Sequence, residues 1–288
     1  MEAVRQLTEQ IMEELGAGTV ELPSLPDVVW RVRAAVADEN VSVNRLAVIL
    51  QVEPNITARI IQIANSAAFV HHKPVDSCHA AISRLGLDTV RDLVTCLAMN
   101  SVFADEGAPL RRQIKDLWAH SRHIAAIASV LGGVTPRISP EKAMLAGLTH
   151  DIGELILLRY AGNYAELVAQ PALLTHCLAS LRGMLGSMVL HRWNFDPEIA
   201  AVPEHAEDWL RDTGEAIDYC DIVIVAQMHA LFGDLQRPDD LPAMTDMPAF
   251  RKLPVSKLGA DGSLEILNQA RDEIRYAARA LGGRQSLQ

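Results

Sequence analysis

The sequence predicts an all-α fold, in which an N-terminal helical subdomain precedes a helical bundle. Nearly every segment of the 288-residue chain repeats apolar residues at the three- and four-residue spacing of one helix face, and no segment shows the alternation of a strand. The apolar share of 49% is mostly Ala, Leu, Val and Ile, while aromatic residues make up only 5%. That balance favours helices over sheets. A chain of this length buries about three quarters of its unfolded surface, so it needs neither disulfides nor metals to fold.

The N-terminal part of the chain is predicted as a series of short helices. Residues 1–15 place Leu7 and Ile11 on one face, and the pattern ends at the glycines that follow. Ser24 and Asp27, three residues apart, resemble a capping box that opens the second helix. The predicted helices of this part cover residues 1–15, 26–38, 42–50, 54–65, 78–85 and 88–103.

A break at residues 105–109 separates two predicted units, residues 1–106 and residues 107–288. The second unit begins and ends with a helix, and residues 234–257, which contain four prolines, predict an irregular loop before the last helix. The predicted helices of the second unit cover residues 110–131, 140–159, 164–169, 173–193, 197–202, 216–232 and 263–281.

The charge and the cysteines exclude several classes of protein. The formal net charge of −10 argues against binding to a nucleic-acid backbone, and no basic recognition helix follows Gly86, where a helix-turn-helix could be drawn. The four cysteines lack metal-ligand spacing and are expected to be buried, reduced thiols. The N-terminus lacks the apolar core of a signal peptide, and no apolar run approaches the roughly 18 residues of a membrane span. These features predict a cytoplasmic protein that binds neither nucleic acid nor membrane.

Residues 143–158 are apolar on nearly all faces of the predicted helix, which is therefore expected to be buried. Asp151 and Glu154 are its formal charges, and Asp151 shares a face with apolar residues and follows His150 directly. A buried carboxylate needs a hydrogen-bonded partner, a cation or a metal. His120 lies on the inward side of its own helix. These side chains predict either a buried hydrogen-bonded pair between two helices or the beginning of a divalent-metal site.

Seven short motifs occur along the chain in a recognisable order. They are LPSLP (22–26), EPNITA (53–58), IANSA (63–67), AISRLG (81–86), LWAHS (117–121), AGLTHDIG (146–153) and RWN (192–194). In this order and spacing they resemble the HDOD domain, the non-catalytic signalling branch of the HD-type metal phosphohydrolases, from about residue 21 to residue 232. The resemblance implies an all-α fold with an HD-like helical core.

The resemblance also implies where an active HD phosphohydrolase would carry its metal ligands. The matching positions of this chain are His120, His150, Asp151, Arg182, Glu204 with His205, and Gln227. An arginine is permanently charged and cannot ligate a metal, and a glutamine in place of an aspartate removes a negative charge. No Gly-Tyr-Pro motif of the HD-GYP type is present. We therefore expect no bound metal, and interpret the surviving groups as vestigial HD-type positions: His120, His150, Asp151 and His205.

The predicted function is that of a non-enzymatic regulatory protein of the HDOD type, with no catalytic residue and no cofactor. The resemblance implies that it binds a signalling protein in trans, and a small ligand is a further option. The alternative is a metal-dependent phosphohydrolase that acts on a nucleotide or cyclic dinucleotide, with the four vestigial positions as its ligands. A helical scaffold without a signalling ligand is a third hypothesis. Metal content and hydrolysis separate the first two, and binding of a physiological partner separates the first from the third.

Overall fold

The computed structural model describes residues 2–66, 73–104, 107–214, 216–231, 241–254, 257–258 and 264–282. Within these ranges the chain is helical and has no strand, and a single antiparallel bridge joins Leu258 to Leu264. The structure therefore confirms the predicted all-α fold. No helix in the described part of the chain has both the length and the apolar character needed to cross a membrane.

The backbone contacts divide the chain into two compact units. The large unit comprises Met1–Pro23 with Phe103–Gly282, and it begins with helix α1 (Glu2–Ala17). The small unit comprises Ser24–Val102 within the described residues. Its helices are α2 (Asp27–Val36), α3 (Val43–Leu50), α4 (Pro54–Ala64), α5 (Cys78–Leu85) and α6 (Leu87–Val102).

Hydrogen bonds in the first turns fix where two helices of the small unit begin. Ser42 before α3 and Ser77 before α5 each accept a hydrogen bond from the backbone N–H three residues later, at 3.2 Å in both cases. Helix α2 has no such side-chain cap, so the capping box predicted from Ser24 and Asp27 is wrong. The preceding residue, Pro26, takes the cap position instead, with an extended ψ of 145°.

The large unit continues with a succession of helices that ends at residue 281. They are α7 (Arg111–Val134), α8 (Pro140–Thr149), α9 (Ile152–Ala161), α10 (Ala165–Ala169), α11 (Thr175–Arg192), α12 (Pro197–Ala200), α13 (Val202–His205), α14 (Tyr219–Ala230), α15 (Pro248–Lys252), α16 (Glu265–Gln269) and α17 (Arg271–Leu281). The packed centre of the unit is formed by α7, α8, α9, α11 and α14. Helix α14 is buried along almost its whole length, as the continuous apolar pattern of its sequence requires.

Helix α1 belongs to the large unit, whereas the division predicted at residue 106 places it with the small one. The phenol of Tyr160, on α9, donates a hydrogen bond to Glu14 Oε2 at 2.5 Å and accepts one from the Glu21 N–H at 2.8 Å. These bonds span about 140 residues of sequence, so composition and local spacing give no sign of them. They fasten α1 and the segment after it to α9.

Two long helices that the sequence predicts as continuous are interrupted. The helix predicted over residues 140–159 is divided into α8 and α9 at Asp151, which has φ −108° and ψ 20°. The helix predicted over residues 263–281 is divided into α16 and α17 at Ala270. The predicted apolar face of the second segment is nevertheless buried, since Leu267 and Ile274 are at most 6% exposed.

The described part of the predicted irregular loop over residues 234–257 is more ordered than its prolines suggest. Residues 234–240 and 255–256 of that loop lie outside the described residues, and residues 241–254 contain the 3₁₀ turn Met244–Asp246 and helix α15. Both are held by burial, because Met247 and Phe250 are almost fully enclosed. The prolines begin and end these short elements rather than preventing them.

Candidate functional site

The interruption between α8 and α9 brings His150 and Asp151 next to His120 on α7. The Nε2 atoms of His120 and His150 lie 3.6 and 3.0 Å from Asp151 Oδ2. The centres of the two imidazole rings are 5.2 Å apart, and one ligand atom from each of the three residues lies within 4.8 Å of the others. His150 and Asp151 are buried, whereas 43% of the His120 side chain is exposed. The cluster is therefore accessible to solvent only on the side of His120, among the three residues.

A backbone hydrogen bond sets which nitrogen of His150 is available. Its Nδ1 lies 2.8 Å from the carbonyl oxygen of Gly147, one turn earlier, and only a protonated Nδ1 can donate to that acceptor. The fully buried Nε2 of His150 has no hydrogen bond of acceptable geometry among the described residues, although it lies close to Asp151.

Arg182 on α11 approaches Asp151 from the other side. Its Nε lies 3.3 Å from Asp151 Oδ1, so the two carboxylate oxygens face different groups. The same guanidinium lies 3.9 Å from Glu154 Oε2 and forms an ion pair with Glu207, just after α13. One arginine therefore balances part of the charge of three carboxylates, and it connects α9, α11 and the segment after α13.

The titration of these groups follows from burial and from their neighbours. Burial alone would raise the pKa of Asp151, but His150, Arg182 and His120 outweigh it and the pKa falls below its ordinary value. Desolvation and the neighbouring His150 lower the pKa of His120 to about 4, even though part of its side chain reaches solvent. Burial, followed by the nearby charge of Asp151, raises the pKa of Glu154 to about 7. Near neutral pH the cluster thus combines a charged Asp151 with a neutral His120.

Glycines at the crossing of α9, α11 and α13 allow this approach. A Cβ atom on Gly153 would lie 2.0 Å from the backbone oxygen of Arg182 and 2.7 Å from the backbone nitrogen of Gly186. A Cβ atom on Gly183 would lie 2.9 Å from the backbone oxygen of Pro203. The three helices can lie this close only because these positions have no side chain. The backbone of α11 that carries Arg182 is therefore pressed against α9 next to Asp151.

Comparison with known proteins shows which family this chain belongs to. The model of the HDOD domain matches residues 22–208 of the chain. The chain belongs to the HDOD domain family. No curated protein matches it.

Several solved structures share the HDOD fold over nearly the whole chain. One from Shewanella amazonensis SB2B, provisionally described as a metal-dependent phosphohydrolase, is 27% identical, with a TM-score of 0.80 and coverage of 98% of this chain and 99% of its own. An HDOD domain protein of unknown function from Geobacter sulfurreducens is 23% identical, with a TM-score of 0.69 and 98% of each chain covered. A protein from Marinobacter aquaeolei VT8, provisionally described as a signal transduction protein, is 19% identical, with a TM-score of 0.62, and 97% of this chain matches 66% of that one.

The described residues bring together part of the donor set that the resemblance implies for an active HD phosphohydrolase centre. His120, His150 and Asp151 offer three ligand atoms close together, and the buried Nε2 of His150 suits a metal. Arg182, however, stands where the resemblance to active HD phosphohydrolases implies a further histidine, and its charge lies against Asp151. Gln227 stands at the expected aspartate, and its side-chain nitrogen donates to the Ala206 carbonyl at 2.5 Å. In the structure the guanidinium of Arg182 lies among the carboxylates of Asp151, Glu154 and Glu207.

The sequence-predicted residues are only partly brought together. His120, His150 and Asp151 form the cluster, but His205, at the end of α13, is not part of the group of mutually close ligand atoms found among the described residues. Sequence reasoning missed the roles of Glu154 and Glu207. The sequence does mark Glu154, because it is the second charge in an apolar helix. Nothing in the sequence marks Glu207, because only the packing of α13 brings it to Arg182.

The raised pKa of Glu154 predicts a pH-dependent effect of Glu154→Gln. The folded protein holds a proton on Glu154 between its unfolded pKa near 4.5 and its folded pKa of about 7, so wild-type stability falls as pH rises through this window. Glutamine cannot lose that proton. We expect the free energy of unfolding of the variant, relative to wild type, to rise by about 2 kcal/mol between pH 5 and pH 8.

Urea unfolding at the two pH values measures this difference. The control is Glu198→Gln, which alters an exposed carboxylate on α12 and should show no such rise. A difference for Glu154→Gln that stays constant from pH 5 to pH 8 would contradict the raised pKa.

Proposed function

We propose that this HDOD protein is a non-catalytic regulatory module that binds a signalling protein in trans. The observation that carries the proposal is the 3.3 Å approach of Arg182 Nε to Asp151 Oδ1. The guanidinium supplies the positive charge that a buried carboxylate requires, and it cannot ligate a metal or generate a hydroxide. The cluster would then fix the positions of α7, α9 and α11 so that the surface of the domain can recognise its partner. Action in the cytoplasm and without a cofactor is part of the same proposal.

A second candidate function is metal-dependent phosphoester hydrolysis. The closeness of the His120, His150 and Asp151 ligand atoms favours it, and so does the similarity to the Shewanella protein. In that case the three residues would hold one divalent ion at the solvent-facing side of the cluster. The ion would supply an activated water, and Arg182 would hold Asp151 in place from behind.

Hydrolysis assays distinguish the two candidates. We expect no turnover of a model phosphodiester, of nucleotides or of cyclic dinucleotides in the presence of Mn²⁺, Mg²⁺, Fe²⁺ or Zn²⁺. The reason is that Arg182 and Gln227 stand where the resemblance implies a histidine and an aspartate as metal ligands. The reference is Asp151→Ala, whose rate should equal that of the wild-type protein. Metal-dependent turnover that disappears in Asp151→Ala would overturn the non-catalytic proposal.

A matched variant tests the part played by the arginine. Arg182→His exchanges the guanidinium for a neutral ligand, so it should raise the affinity for Zn²⁺ by about tenfold or more, measured by equilibrium dialysis. If wild type and variant bind Zn²⁺ equally well, Arg182 is not what prevents metal binding.

Partner binding is tested separately, by capture from the source cell followed by reconstitution with the purified partner. A failure to reconstitute any complex would leave the helical-scaffold hypothesis.

A further inference from the structure

Two helix segments of this acidic chain are basic. The whole chain carries 36 acidic and 26 basic side chains, which gives its formal net charge of −10. Residues 111–122, in the first half of α7, nevertheless contain four lysines or arginines and one acidic side chain. Residues 274–282, at the end of α17, contain two arginines and no acidic side chain. A local surplus of positive charge in a chain of the opposite sign attracts an anionic partner to that place.

The two basic segments meet at Arg122. Its Nη1 donates a hydrogen bond to the Ala278 carbonyl oxygen at 3.1 Å, and a Cβ atom on Gly282 would overlap the same nitrogen. The end of α17 therefore lies at Arg122. Arg111 and Lys115 are spaced four residues apart, and Lys115 is seven residues before Arg122, so all three lie on one side of α7. Arg111 and Lys115 are exposed, so the end of α17 does not cover them.

The exposed cations of the two segments form what we call the basic surface: Arg111, Lys115, Arg275 and Arg279. Arg275 and Arg279 are four residues apart and lie together on the exposed side of α17. Within the described part of the chain, Arg111, Lys115 and Arg279 form no ion pair, and Arg275 has only Asp272, at 3.5 Å. Exposed arginines elsewhere do find carboxylates, since Arg5 and Arg45 lie 2.6 and 2.5 Å from their partners. The basic surface thus keeps its charge available to an external anion.

The chemistry around the basic surface favours one class of anion. A membrane surface is disfavoured, because Ile274 and Leu281, the apolar residues of α17, are buried and cannot enter lipid. A nucleic-acid backbone is disfavoured, because it is repelled by the net charge of −10. A carboxylate matches the planar donors of a guanidinium. Tyr276, which is 43% exposed and lies one turn before Arg279, adds an aromatic ring that can pack on a peptide.

We propose that the basic surface docks an acidic segment of the partner protein, whose carboxylates pair with Arg275 and Arg279 on α17 and with Arg111 and Lys115 on α7. Docking leaves α17 where it is, because all four side chains are already exposed. The acidic segment also relieves the repulsion among these like charges. The proposal rests on the proposed regulatory function and deepens it by naming the chemistry through which the partner is recognised.

Fluorescence anisotropy with a labelled peptide of about eight glutamates tests the basic surface. We expect the wild-type chain to bind the peptide at about 50 mM salt and to lose at least about tenfold in affinity at about 200 mM salt, because salt screens exposed charges. Arg275→Glu with Arg279→Glu should lower the affinity at the lower salt concentration by at least about tenfold. Arg111→Glu with Lys115→Glu should do the same from the other helix, so the test stands even if one double variant does not fold.

The control is Arg31→Glu with Arg192→Glu, which makes the same change in net charge at two exposed arginines outside the basic surface. Its affinity for the peptide should stay within about twofold of wild type. Equal losses in the control and in the two test variants, or no binding by the wild-type chain, would overturn the proposal.

Two other occupants of the basic surface are distinguished in the same experiments. Tighter binding of a single-stranded oligonucleotide of the same charge would overturn the proposal in favour of a nucleic-acid site. Sedimentation that shows self-association of the wild-type chain, absent from Arg275→Glu with Arg279→Glu, would assign the surface to a second copy of this chain. None of these measurements involves a metal or a phosphoester, so a failure here is distinct from a failure of the non-catalytic proposal.

Discussion

Replacing Gly153 with alanine is expected to destabilise the large unit by about 3 kcal/mol or more. The new Cβ atom would lie 2.0 Å from the Arg182 backbone oxygen and 2.7 Å from the Gly186 backbone nitrogen. Both neighbours are backbone atoms of α11, so neither can move by a change of rotamer. Helices α9 and α11 must separate, which also withdraws Arg182 from Asp151. Urea unfolding followed by far-UV circular dichroism measures the loss.

The control for this prediction is Gly133→Ala, near the end of α7. A Cβ atom there meets only Pro140 Cγ at 3.9 Å, which is an ordinary van der Waals contact. Alanine has the higher helix propensity, so we expect this variant to be unchanged or more stable by up to about 1 kcal/mol. If the two variants unfold at the same urea concentration, the close approach of α9 and α11 is not what requires glycine at position 153.

The helices of this HDOD protein were predictable largely because apolar periodicity is a local property of the sequence. The division at Asp151 was not predictable, since residues 143–158 are apolar on nearly every face and contain no proline at the break. A helical sequence without a polar face does not show which of its sides is buried, so it cannot show where the helix is interrupted. The same reasoning explains α1, whose place in the large unit depends on hydrogen bonds from Tyr160 to residues about 140 positions away.

The candidate site was predictable to the extent that burial of a charge demands partners. An aspartate in an apolar helix requires a cation or hydrogen-bond donors, so the sequence indicates Asp151 and, on a neighbouring helix, His120. The family resemblance, and not apolar periodicity, indicates that Arg182 stands at the position of a metal ligand. Its ion pair with Glu207 depends on how closely the glycines let α11 and α13 approach, and that is a property of the packed helices alone.

Arg182→Met should be among the most destabilising changes at the site, because it keeps most of the side-chain volume while removing the cation beside a buried carboxylate. We expect a loss of about 3 kcal/mol or more at pH 7, since a buried charge that loses its partner keeps its full desolvation cost. The control is Arg192→Met, an exposed arginine at the end of the same helix, which should change stability by less than about 1 kcal/mol. Adding Asp151→Asn to Arg182→Met should recover part of the loss.

The pH dependence of the Arg182→Met effect separates lost charge pairing from lost packing. In the wild-type protein the pKa of Asp151 is lowered, so its stabilising contribution is complete above its unfolded pKa near 4 and is lost as pH falls towards the folded pKa. Without the guanidinium, one of the groups that lower this pKa is lost while burial remains, so the pKa rises from its wild-type value and protonation relieves the unpaired charge at a higher pH. The stability difference between wild type and Arg182→Met should therefore be largest near pH 7 and shrink towards pH 4, measured by urea unfolding in matched ionic strength. A difference that is the same at both pH values would mean that Arg182 contributes packing alone, and the case for an internal cation in place of a metal would fail with it.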